Sequence, residues 1–123
     1  MVTIKELIED RLLVTPNINE STTVSKMLDG GRFQKRGGVY IFYTKHHEPL
    51  YVGISNNVGK RVAEHLQSKK GNADLVRFTN AHPDSYVNVF YESDKVYQEL
   101  YESYLIAVLN PRFNIQKTGR EKI

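Results

Sequence analysis

Residues 38–65 read GVYIFYTKHHEPLYVGISNNVGKRVAEH. Two runs within it, VYIFY and LYVGI, are filled with β-branched and aromatic residues, the composition of half-buried strands. Thr44 to Pro49 joins them as an antiparallel hairpin. Side chains on paired antiparallel strands share a face according to register parity, so Tyr40 and Tyr51 face the same way when paired residue numbers sum to an odd value. A sum of 91 or 93 suits this loop length, and it sets two phenol hydroxyls on one face of the sheet. Ser55, Asn56 and Asn57 then form a cap cluster for a helix from about Asn57 to Gln67. Val58, Val62 and Leu66 give it a core face, and Arg61 and His65 share the neighbouring polar stripe.

Outward from this unit, Thr3 caps a first helix of about ten residues with Ile4, Leu7, Ile8 and Leu12 at helical spacing. The segment TPNINESTT is rich in turn and cap formers, and a second short helix is expected from about Thr23 to Leu28, stopped by Gly30-Gly31. Residues 1–36 thus read as an amino-terminal helical extension packed on the domain. On the other side, ADLVRF predicts a short helix ending near His82-Pro83, and YVNVFYE a third strand. The last helix, from about Asp94 to Leu109, ends at Asn110-Pro111. Its apolar residues occupy nearly every side, which predicts burial. Glu102 lies there beside Leu105, Ile106 and Leu109, a place that an ionised carboxylate tolerates only when a cation or hydrogen-bond donors meet it. Residues 116–123 read as a basic tail. The expected fold is a small α/β (α+β) domain, a three-stranded, mainly antiparallel sheet flanked by helices.

Composition narrows the function classes. The chain has 123 residues, enough for one core and one site. It has no cysteine, so disulfides and thiolate zinc sites are excluded, and a metal would need carboxylate, histidine or amide ligands. No run reaches the roughly 18 apolar residues of a membrane span, and MVTIKELIEDRLL lacks the basic-then-apolar layout of a secretory signal. The expected location is therefore cytoplasmic. The formal net charge is +3, and its distribution is uneven. Residues 37–70 hold five Lys or Arg against two acids, and residues 92–110 hold one base against four acids. The bases flank the hairpin and its helix, as a polyanionic partner would require.

The order and spacing of these residues resemble the GIY-YIG nuclease superfamily. Gly38-Val39-Tyr40 stands in place of GIY, and after ten residues Tyr51-Val52-Gly53 stands in place of YIG. Arg61 follows eight residues after Gly53. ESYLIAVLNPRFN, from Glu102 to Asn114, resembles the family's glutamate helix with its following proline, aromatic residue and asparagine, with a spacing similar to UvrC-type amino-terminal modules. Arg61 with His65 is similar to the Arg-x-x-x-His helix of homing and restriction members. The resemblance covers about residues 37–115. One departure is Ile54, which stands where UvrC-type modules carry a lysine.

The resemblance implies a metal-dependent endonuclease that hydrolyses DNA, double-stranded or branched, in repair, restriction or a mobile element. Glu102 would hold one divalent ion, Mg²⁺ with Mn²⁺ as a substitute. Arg61 would clamp the scissile phosphate, Tyr51 would serve as general base with Tyr40 orienting water or phosphate, and Asn114 would orient a backbone or phosphate contact. His65, with an ordinary pKa near 6.5, is the alternative base or a proton relay. Gly53, Ser55, Lys60, Lys69 and Lys70 are candidate substrate contacts. A nucleic-acid-binding module of the same fold with little intrinsic cleavage, working with a partner subunit, is the competing reading; homodimerisation for targeting is left open.

Overall fold

The computed structural model describes residues 17–67 and 71–114. In chain order its elements are β1 (Glu20–Thr23), α1 (Val24–Leu28), β2 (Gly38–Tyr43), β3 (Pro49–Ser55), α2 (Val58–Leu66), α3 (Ala73–Ala81), β4 (Tyr86–Tyr91) and α4 (Lys95–Leu109). The expected helix over residues 3–12, the basic tail, and Lys69 and Lys70 lie outside the described residues.

The hairpin of β2 and β3 pairs Tyr40 with Gly53 and Phe42 with Tyr51, a register sum of 93, with an irregularity only beyond Phe42. β4 adds antiparallel to the other side of β2. The sheet has four strands rather than the expected three, in the order β1-β4-β2-β3. The extra strand is the ESTT segment, which pairs antiparallel with β4, Glu20 opposite Val89. It carries no period-2 apolar signal, because its cohesion comes from the ladder and from side chains. The Asn19 amide oxygen accepts from the Tyr91 backbone N–H at 2.8 Å, and the Tyr91 hydroxyl donates to Glu20.

Three helices cover one face of the sheet. Val24 and Met27 of α1, Val58, Val62 and Leu66 of α2, and Leu75 of α3 form one core with Tyr40, Phe42, Val87 and Val89. The helices start where their caps dictate, with side chains of Thr23, Asn57 and Asn72 accepting from first-turn N–H groups. Among the described residues the opposite face carries α4 alone, packed through Tyr101 and Ile106 against Val39, Ile41, Val52 and Phe90. The outer side of α4 meets solvent. Val96, Tyr97 and Val108 are exposed, which corrects the expectation of a helix buried all round. The helix stops at Asn110, whose left-handed conformation (φ 49°) closes the last turn before Pro111. No helix among the described residues is long and apolar enough to cross a membrane.

Candidate active site

The register places the rings of Tyr40 and Tyr51 side by side, centroids 6.4 Å apart and stacked at 28°. Tyr40 can lie flat over the neighbouring strand because its partner is Gly53; a Cβ there would fall inside the phenol ring. Helix α2 lays His65 across both tyrosines, with ring centroids 5.6 Å from Tyr40 and 5.1 Å from Tyr51. The Tyr40 hydroxyl and His65 Nε2 are 2.9 Å apart. The Asn72 backbone N–H donates to His65 Nδ1 at 3.4 Å, so in the neutral ring Nδ1 is the acceptor and Nε2 carries the proton. His65 therefore donates to Tyr40 and leaves that hydroxyl's own proton free to point outward.

His65 has no exposed surface, which corrects its placement on a polar stripe. The rings of Tyr40, Phe42 and Tyr51 roof the stripe at that position. Burial, reinforced by the positive charge of Arg61 and partly offset by Glu64, holds its pKa down at about 4. It is neutral at neutral pH, and it does not titrate near the ordinary histidine value. The tyrosines move the other way. Burial raises Tyr40, the charge of Tyr51 adds to this, and Arg61 opposes it. Burial raises Tyr51 as well, again against Arg61. Both phenols are protonated donors at neutral pH.

Arg61 also lies 3.4 Å from Glu64. Glu102 reaches the site from the other layer, and its negative charge acts on both tyrosine hydroxyls. Five predicted residues, Tyr40, Tyr51, Arg61, His65 and Glu102, thus converge on one locality although a long stretch of chain separates the first four from the last. No group of three or more His, Cys, Asp or Glu suited to a metal occurs among the described residues. A cation here would be held through one carboxylate, which fits Mg²⁺, an ion that keeps most of its water, and fits a protein-caged Zn²⁺ or Ca²⁺ poorly.

Among the other predicted residues that the structure describes, Gly53 lies against Tyr40, Asn114 and Ser55 are engaged with backbone, and Lys60 is exposed. Asn114 is 3% exposed; its amide oxygen accepts from Val52 N at 2.8 Å and its Nδ2 donates to Val52 O at 3.0 Å. Its side chain is spent on the backbone of β3. The Ser55 hydroxyl accepts from Asn57 N at 3.0 Å, and Lys60 is exposed on α2. Gly53 offers space for Tyr40. Sequence reasoning passed over Asn72, which caps α3, donates through its backbone to His65 and through Nδ2 to Phe113 O at 3.1 Å. Its signal was the Gly71-Asn72 pair, since a Cβ at Gly71 would stand 2.9 Å from His65 Nδ1.

Residues 36–116 match the family model of the GIY-YIG catalytic domain. The chain belongs to the GIY-YIG family. YurQ of Bacillus subtilis, an uncharacterized protein, is 30% identical over 84 residues, 67% of this chain and 63% of YurQ. UvrABC system protein C of Rickettsia rickettsii is 30% identical over 91 residues, which is 74% of this chain and 13% of that protein. The chain therefore spans less than two thirds of the length of each. In three dimensions the fold is that of the GIY-YIG N-terminal endonuclease domain of UvrC from Thermotoga maritima. The form of that domain bound to magnesium as its catalytic divalent cation superimposes with a TM-score of 0.56, at 18% identity, over 73% of this chain and 93% of the other. A point mutant of the same domain, also cation-bound, gives 0.56 over 73% and 92%.

Proposed function

We propose that this GIY-YIG domain is an Mg²⁺-dependent endonuclease that hydrolyses DNA phosphodiester bonds with a single metal ion, Mn²⁺ serving as a substitute. The observation that carries the reading is the convergence of two tyrosines, an arginine and a buried neutral histidine within the field of one carboxylate from the opposite layer. Glu102 would hold the ion, which when bound supplies charge neutralisation and water activation. Arg61, permanently charged and forked, binds the scissile phosphate. Tyr51, the more open of the two phenols, faces the water. Tyr40 orients that water or the phosphate, its oxygen fixed by the proton on His65 Nε2. His65 is sealed behind the rings and acts through Tyr40, which leaves Tyr51 as the general base, a role its protonated phenol takes on only when the charge of Arg61 and of a bound cation bring its pKa down. Asn114 holds β3, and with it Tyr51, in place. The domain limits we favour are an extension over 1–36, a catalytic unit over 37–115 and a basic tail over 116–123.

The test is nicking of supercoiled plasmid with Mg²⁺, Mn²⁺ or EDTA. Wild type nicks with either ion and stops in EDTA, and Glu102→Ala loses about 10²- to 10³-fold, the scale of removing one electrostatic stabiliser, while retaining much of its DNA binding. Unchanged cleavage by Glu102→Ala would remove its assignment to the metal.

A further inference from the structure

Helix α2 has a second working side. At about 100° per residue, Gly59, Lys60 and Ala63 point away from Arg61 and His65, with Glu64 on the ridge between the two sides. On that side a groove of about 380 Å³ runs between α2 and residues 32–35, and its lining includes Arg32, Phe33, Lys35, Lys60, Ala63 and Glu64. The walls are fixed by backbone. Val58 N donates to Arg36 O at 2.8 Å and Gly59 N to Gln34 O at 3.0 Å, and a Cβ on Gly59 would overlap the Phe33 carbonyl. Arg32 is held as well, with Nη1 donating to Met27 O at 2.8 Å and Gly31 O at 2.7 Å. Both protons of Nη1 are thereby used, and Nη2 and Nε remain to meet an anion.

The groove is net positive. Arg32, Lys35 and Lys60 are exposed, and the single lining carboxylate, Glu64, sits against Arg61. Phe33, Gly59 and Ala63 make an apolar floor beneath the cations. A narrow channel with a cationic rim and an apolar floor suits a sugar–phosphate backbone, anionic on one side and hydrocarbon on the other. One wall comes from residues 32–35, just before the segment that matches the family model, so the extension and the catalytic domain build the groove together.

We infer that this groove holds the backbone of the DNA strand flanking the bond cut at the catalytic face, an inference that rests on the nuclease reading. The two sides of α2 are separated by about 10 Å, the helix diameter. A strand of a few nucleotides spans that separation.

The experiment measures binding of a duplex oligonucleotide in EDTA across a salt series. Wild type is compared with Lys35→Glu/Lys60→Glu and with the control Lys45→Glu/Lys95→Glu, which changes the net charge equally outside the groove. The groove variant should bind at least about tenfold more weakly at moderate salt, and its slope of log K against log salt should fall by about two, one for each phosphate no longer neutralised. The control should keep the wild-type slope. Equal losses in both variants, or an unchanged slope in the groove variant, overturn the groove. Nicking by wild type, followed separately in Mg²⁺, reads the nuclease proposal. A wild type that nicks beside a groove variant with an unchanged slope sinks the groove alone, and a wild type that binds no DNA sinks both.

Discussion

The two faces of the sheet meet their helices on different terms. Three helices close one face, and there Val58, Val62, Leu75 and even His65 have no exposed surface. Among the described residues a single helix covers the other, and it buries Tyr101 and Ile106 while leaving Val96 63% and Val108 52% exposed. The closed face is where polar atoms have no water and must find each other, which is why the tyrosine–histidine contact forms there. The open face is where a carboxylate can sit half-buried and still reach the rim of the site. A closed layer that supplies the tyrosines, His65 and Arg61, and an open one that supplies the carboxylate, contribute opposite halves of a single centre. That division makes the centre depend on the whole fold.

The strongest way to break this contrast is to titrate the closed face. His65 ionises at about 4 in the folded chain, below the ordinary histidine value in the unfolded one. Between those values the unfolded chain takes up a proton that the folded chain refuses. Stability from this group is therefore fully present above about pH 6.5 and is lost as pH falls toward 4, by about 3 kcal/mol in total. Urea midpoints measured from pH 7 to pH 4.5 should fall steeply for wild type and more gently for His65→Phe, whatever that variant's stability at pH 7. Parallel curves would mean that His65 is not held neutral by burial.

A smaller effect tests the spacing within that face. Gly53→Ala puts a methyl into the Tyr40 ring, which cannot swing aside because its hydroxyl is tied to His65 and its faces are bounded by Phe42 and Tyr51. Overpacking of this kind costs about 2 kcal/mol. Nicking should fall by more than about tenfold, since a displacement of about 1 Å in a positioning group is enough for that. Thermal melts and plasmid nicking read the two effects. In a Tyr40→Ala background the same change should cost almost nothing in stability; a full cost there would show that the glycine serves another neighbour.

Much of this was legible in the chain because it is local. The hairpin register follows from loop length and parity, and both tyrosines land on one face as the odd sum requires. The limits of α2 follow from Asn57 and Gln67, and those of α4 from Asp94 and Asn110. What was not legible depends on contacts between distant segments. ESTT becomes a strand only because β4 offers an edge. His65 looks like a surface residue until three rings from two strands cover it. The exposure of Val96 and Val108 depends on how many helices share a layer, and periodicity within one helix carries no such information.

The finest distinction concerns Asn114, 62 residues from its partner. β3 is an edge strand, and an edge leaves backbone N–H and C=O groups unpaired unless something covers them. The chain after α4 does so. Phe113 N donates to Leu50 O at 2.8 Å, and the Asn114 side chain then acts as a peptide group for Val52, a residue with no exposed surface. Removing that amide leaves a buried donor and a buried acceptor without partners, so Asn114→Ala should cost about 2 kcal/mol, read from urea midpoints. Nicking should fall through the displacement of Tyr51, and the loss should be partial. Asn114→Asp separates this role from direct contact with substrate or metal. A carboxylate still accepts from Val52 N but sets a negative oxygen against Val52 O, so at neutral pH it should be no more stable than the alanine variant. A variant Asn114→Asp as stable as wild type and more active than Asn114→Ala would instead move this residue from the strand edge to the chemistry.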